Sequence, residues 1–198
     1  MPVLHEDTLQ QQHGGVDKHA VKHEWWAAHG VEVHRVRFDG RHGVPIDFGD
    51  YWAEGSNISI DTKRNVDELA RNIGGGRKNG RKKSEHVRFR EECQRAAAAG
   101  YRLVVLVEND LGYANAGDVV RWINGHCAAC REFRVGDCRP HIDSAGTCPR
   151  HKTPKPIQGA RLYKAMSTMS LRYGVRFEFC APEESARRVC ELLGVEYE

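Results

Sequence analysis

The sequence predicts an α/β fold in which helices cover both faces of one sheet. Three observations point there. "RLVVLVE" (102–108) holds an unbroken apolar run, the pattern of a strand at the centre of a sheet buried on both sides. Around it, strands alternate with helices: "SEHVRFREECQRAAAAG", the central strand, "QGARLYKAMSTMSLRYG", "VRFEFC" and "PEESARRVCELLG" follow one another. The chain of 198 residues, 40% hydrophobic and 29% charged, suits one soluble domain, 1–198, with a substantial core.

Taken in order, "VLHED" (3–7) reads as a short strand, and a helix follows from about Lys18 to His29, stopped by Gly30. "VEVHRVRF" alternates apolar and polar residues as a strand does. "VPIDFGDYWA" is a second extended run, and "EGSN" is a hairpin turn into the strand "ISIDTK" (58–63). "NVDELARNI" spaces Val66, Leu69, Ala70 and Ile73 helically, with Asn65 as N-cap. Ser84 caps the long helix that Gly100 ends. "NAGDVVRWING" is a short helix, and an irregular cysteine-rich stretch precedes the last helix–strand–helix unit, where Pro182 occupies a first turn. Trp25, Trp26, Met166 and Met169 fall at core positions of their helices.

Composition excludes several classes. No apolar run approaches a membrane span, and the N-terminus lacks the basic and apolar regions of an export signal, so a cytoplasmic protein is expected. Seven cysteines in that setting point to thiols or metal ligands over a disulfide framework. The net charge of +3 is less telling than its placement. Arg77, Lys78, Arg81, Lys82 and Lys83 crowd "RKNGRKK" beside three glycines, as a solvated loop or a phosphate-contacting loop would.

Chemistry concentrates at "ISIDTKRNVDELA". Residues i and i+2 share a face of a strand, so Asp61 and Lys63 project together. The turn brings Asp50 alongside, and Asp67 opens the next helix. Mg²⁺ takes oxygen ligands, usually one or two carboxylates completed by water and substrate phosphate. The same spacing also suits a plain surface ion pair.

"GDY" (49–51) followed by "IDTKRNVDELARNI" resembles the signature of the XPF-type nucleases of the PD-(D/E)XK superfamily: Gly-Asp, then Glu-Arg-Lys, three residues and Asp. "HEDTLQQ" sits where that family has a strand ending in an acid, which falls on Asp7. "HVRFREECQRAAAAGYRLVVLVE" and "ARLYKAMSTMSLRYGVRFEFCAPEESARRVCELL" resemble the helices and strands that follow. The likeness covers nearly the whole chain outside 111–156. Two departures stand out: Asp61-Thr62-Lys63 replaces Glu-Arg-Lys, and Leu9 replaces an arginine of accessory role.

The resemblance implies a restriction-endonuclease-like mixed sheet flanked by helices. It further implies a Mg²⁺- or Mn²⁺-dependent endodeoxyribonuclease that cuts branched DNA such as flaps, forks or four-way junctions. Asp50 and Asp61 would hold the metal, Lys63 would position water, and Asp67 and Asp7 would support them. Relatives often dimerise and carry a helix-hairpin-helix module. None is visible here, so a homodimer, another protein or the insert would select the substrate. Small stand-alone versions resemble phage or prophage genes. A non-catalytic DNA-binding module and a sequence-specific nuclease of the same superfamily are the alternative readings.

Residues 111–156 interrupt the likeness as a cysteine-rich insert. Cys127 and Cys130 are spaced C-x₂-C, and Cys148 and His151 C-x₂-H, which is close to a zinc-ribbon pattern. Structural Zn²⁺ is expected there, with Cys138, His126 and His141 as substitute ligands. Cys93, Cys180 and Cys190 read as core thiols.

Overall fold

The computed structural model describes residues 2–8, 19–41, 43–74, 84–135, 147–148, 153–154 and 156–198. One mixed sheet of six strands organises them. Its strands are β1 (Leu4–Asp7), β2 (Val33–Val36), β3 (Tyr51–Ala53), β4 (Ile58–Lys63), β5 (Arg102–Glu108) and β8 (Arg176–Cys180). Their order across the sheet is β2-β1-β3-β4-β5-β8. The pairs β1/β2, β4/β5 and β5/β8 are parallel, while β3 runs antiparallel to both of its neighbours. A separate antiparallel pair of strands, β6 (Thr147–Cys148) with β7 (Thr153–Pro154), lies in the insert.

Parallel strands need crossovers, and helices supply them. They are α1 (Ala20–Ala28), α2 (Val66–Gly74), α3 (Glu85–Ala98) and α6 (Gly159–Tyr173), with one-turn α4 (Gly125–Ala128) and α5 (Arg131–Arg134) in the insert, while α7 (Ser185–Leu193) follows the last strand. Side-chain alternation along the strands divides the core in two. On one face Trp52, Leu103, Val105 and Val107 pack with Leu69 and Ile73 of α2, Phe89 and Cys93 of α3, and Leu162 and Met166 of α6. On the other, Leu4, Tyr51, Ile60, Val104 and Leu106 pack with Trp26 of α1 and Val189, Cys190 and Leu193 of α7. Trp26 also donates its indole N–H to the Ala186 carbonyl, so it pins helix to helix.

The predicted elements recur with shifted bounds. Asn65 caps α2 through its Oδ1, which accepts the Glu68 amide at 2.9 Å. Ser84 precedes α3 in extended conformation, but its side chain makes no capping bond. "NAGDVVRWING" is a 3₁₀ turn (Ala116–Arg121) closed by an Asn115–Asp118 capping box. Pro182 stands in a 3₁₀ turn (Pro182–Glu184) ahead of α7. The expected run 44–53 contributes only β3: Val44, Ile46 and Phe48 are buried at alternate positions but lie outside any strand ladder. Among the described residues no helix is long and apolar enough to cross a membrane.

Candidate active site

Gly49 explains how the chain enters β3. Its φ of +76° is in the left-handed region, which favours glycine. A Cβ there would stand 2.1 Å from Ser59 Oγ and 3.0 Å from the Ile60 carbonyl oxygen. A side chain at 49 would therefore push β3 off β4, so glycine before Asp50 is a steric requirement of the turn. Asp50 then donates its amide to the Ile60 carbonyl at 2.6 Å and accepts, through its own carbonyl, the Asp7 amide at 2.8 Å. The backbone thus locks Asp50 between β1 and β4.

The side chains follow from that frame. Asp50 Oδ2 accepts both the Thr62 amide and the Thr62 hydroxyl at 2.7 Å. Asp61 and Lys63, two residues apart on β4, meet at 2.6 Å between Oδ1 and Nζ. Both are buried, and Asp61 Oδ2 is left buried with no hydrogen-bond partner among the described residues. The Lys63 ammonium stands 5.2 Å from the centroid of the Phe89 ring, a cation–π contact. Asp7 at the end of β1 accepts the Phe38 amide at 3.1 Å.

Asp7, Asp50, Asp61, Lys63 and Phe89 line one polar cleft of about 530 Å³, floored by the ends of β1, β3 and β4 and walled by α2 and α3. Its lining includes eight acids and three bases, so its field repels a phosphodiester unless positive charge is supplied. Burial raises the Asp50 carboxyl to about 6 against the opposing pull of Lys63 and Thr62. Burial likewise lifts Asp61 to about 7, with Lys63 opposing and Asp50 adding to the shift. For Lys63, burial works against the charge, but Asp61, Asp50 and Glu92 outweigh it and keep the ammonium charged.

Four of the five predicted acid and base positions therefore share the cleft: Asp7, Asp50, Asp61 and Lys63. Asp67 is not in its lining. It sits at the start of α2, with its Oδ1 accepting the Gly125 amide at 3.4 Å, and so links α2 to the insert. Glu92 is the residue that sequence reasoning missed. Its Oε1 accepts the Gly49 amide at 2.8 Å, and burial, reinforced by Asp61, raises its carboxyl to about 7. It was detectable as an acid bordering the buried α3 stripe of Phe89, Cys93 and Ala96.

Cys127 is buried in α4 and Cys130, partly buried, is the N-cap of α5, with the Cys130 amide donating to the Cys127 carbonyl at 2.9 Å. Cys148 is placed by its backbone in β6 opposite Thr153. His151, Cys138 and His141 lie outside the described residues, as do Arg77, Lys78, Arg81, Lys82 and Lys83. Cys93, Cys180 and Cys190 are buried, and burial pushes their thiols up to about 12, 12 and 11, as inert core thiols require.

No protein-family model and no curated protein sequence matches the chain. Solved structures do. XPF from Aeropyrum pernix matches with a TM-score of 0.50 at 17% identity, over 97% of this chain and 63% of that one. XPF from Aeropyrum pernix in complex with DNA matches with a TM-score of 0.51 at 16% identity, over 98% of this chain and 64% of that one. The mixed α/β sheet flanked by helices is thus a nuclease-type fold. More narrowly, it is the fold of the XPF nucleases, and the chain spans just under two thirds of the length of those solved chains.

Proposed function

We propose that the protein is a divalent-metal-dependent DNA endonuclease selective for branched DNA. The observation that carries this reading is the convergence of Asp50, Asp61 and Lys63 in one cleft, with Asp61 Oδ2 buried and unsatisfied. A buried acceptor without a donor costs roughly 1–3 kcal/mol, more when charged, and a cation would relieve it. Among the described residues no three His, Cys, Asp or Glu side chains converge closely enough to hold a metal by themselves. Mg²⁺ does not ask for three, because it keeps most of its waters and binds through one or two carboxylates plus substrate phosphate. The donor set fits.

A bound Mg²⁺ or Mn²⁺ supplies Lewis-acid activation of water and of the phosphodiester. Asp50 and Asp61 would hold that cation, Asp50 being oriented by the paired Thr62 donors. Lys63, fixed by Asp61, would position the attacking water, and Asp7 braces Asp50 through the β1–β3 backbone bond. Asp67 takes the supporting part of tying α2 to the insert. The field of the cleft calls for further cations, and the basic stretch of Arg77, Lys78, Arg81, Lys82 and Lys83 would supply them. Its flanking helices contribute Asn72 and Glu85 to the cleft rim, which supports backbone contact by that stretch. The likeness to an XPF solved with DNA supports the same substrate. A homodimer or a protein partner would refine its choice. Cys127, Cys130, Cys148 and His151 would hold a structural Zn²⁺, their soft donors and knuckle spacing suiting a tetrahedral site.

Substrate class is tested by incubating labelled flap, fork, four-way junction and plain duplex with the protein and Mg²⁺ or Mn²⁺. Branched substrates should be cut at least about tenfold faster than duplex, a difference of ~1.4 kcal/mol in the barrier. Equal cutting of duplex at one sequence would instead support a sequence-specific nuclease.

A further inference from the structure

Glu92 stands where the turn, the helix and the buried acids meet. Its Oε1 holds the Gly49 amide at 2.8 Å, joining α3 to a turn 43 residues earlier in the chain. Three residues before it on α3, Phe89 carries the Lys63 ammonium over its ring. Asp61 lines the same cleft, only 4% exposed, and it gives Lys63 just one oxygen while Oδ2 stays buried without a partner. Lys63 is thus the one buried cation among Asp50, Asp61 and Glu92 in the cleft lining. Positive charge is undersupplied there, and the unsatisfied oxygen marks where it is missing.

We propose that Glu92 is a third carboxylate of the cation site, whose charge sets the affinity of the Asp50–Asp61 pair for a divalent ion. Among the described residues no three acids converge closely enough to hold a metal by themselves, so Glu92 acts as an outer partner of the Asp50–Asp61 pair. Its hydrogen bond to Gly49 fixes its place and its charge does the selecting. The inference rests on the nuclease reading of the same cleft.

The test is Mn²⁺ binding to the full chain without DNA, read by electron paramagnetic resonance, for wild type, Glu92→Gln and Asp61→Asn. A glutamine oxygen still accepts the Gly49 amide, so this change removes charge and keeps the bond. Affinity should fall on the order of tenfold in Glu92→Gln, the usual effect of an outer partner of a metal, with no loss of melting temperature. Equal affinity in wild type and Glu92→Gln, with binding lost in Asp61→Asn, overturns the inference and leaves the site intact. Wild type that binds no Mn²⁺ overturns the metal reading itself, and the role of Glu92 with it. Should Glu92→Gln fail to fold, carbodiimide labelling of the wild type decides. Mg²⁺ slows modification of Glu92 if the proposal holds, and an unchanged rate refutes it.

Discussion

At the residue scale the cleft carries groups that oppose folding once they ionise. Asp50, Asp61 and Glu92 are raised to about 6, 7 and 7, from ordinary values of 3.8 for aspartate and 4.5 for glutamate. A carboxyl raised on folding favours the native state while protonated. That contribution is complete below the unfolded value and is lost as pH climbs through the folded one. Lys63 stays charged across this window and does not reverse the sign. In metal-free buffer the wild type should therefore lose melting temperature relative to Asp61→Asn between pH 5 and pH 8. Mg²⁺ should restore more of it at pH 8, where fewer protons compete for the acids. A difference between the two proteins that does not change with pH contradicts this account. Asp50, Asp61 and Lys63 were legible because they sit on or beside strands, where a period of two fixes the face. Glu92 was not, since its approach depends on how α3 is rotated against the sheet, 29 residues beyond Lys63 in sequence. Thr62 hid behind its difference from the XPF signature, although its hydroxyl holds Asp50 as directly as any residue in the cleft.

At the scale of elements, the strands that read most clearly are those whose pattern and pairing agree. β5 is buried along nearly its whole length because β4 and β8 flank it and helices cover both faces. The run 44–53 shows the limit of periodicity. Val44, Ile46 and Phe48 bury alternate side chains without a ladder, because the left-handed turn at Gly49 starts the pairing only at β3. Alternation reports which side chains face the core, and hydrogen-bond partners decide what is a strand. The insert is a different case. α4, α5, β6 and β7 are each only two to four residues long, too short to be read from apolar spacing. Its proposed zinc makes a definite expectation. Protein purified without chelators should hold about one Zn²⁺ per chain by plasma mass spectrometry, and Cys127→Ser should lower that content and the melting temperature together. A zinc content near zero in the wild type removes the metal from the account and leaves the cysteines as thiols.

At the scale of the whole molecule, helix–strand alternation was enough to announce an α/β sheet, and the motif order announced the sheet of the XPF nucleases that the structure matches. The hairpin placed β3 beside β4, but sequence could not supply its second antiparallel partner, β1, which helps hold Asp50 at a cleft whose other walls come from α2 and α3. That assembly of distant segments turns a scatter of acids into a candidate catalytic centre. In the proposed function, Asp61, paired with Lys63 and offering one unsatisfied oxygen, makes the cleft a metal-dependent cutting site. The most direct measurement is cleavage of one labelled flap by wild type and Asp61→Asn, with Mg²⁺ and with a chelator, alongside binding of the same DNA. Mg²⁺-dependent cutting by the wild type is expected, with a loss of at least about a hundredfold in the variant (~2.7 kcal/mol of barrier) and binding that is nearly unchanged. Cutting that survives in Asp61→Asn, or tight binding with no cutting by the wild type, would contradict the proposed function.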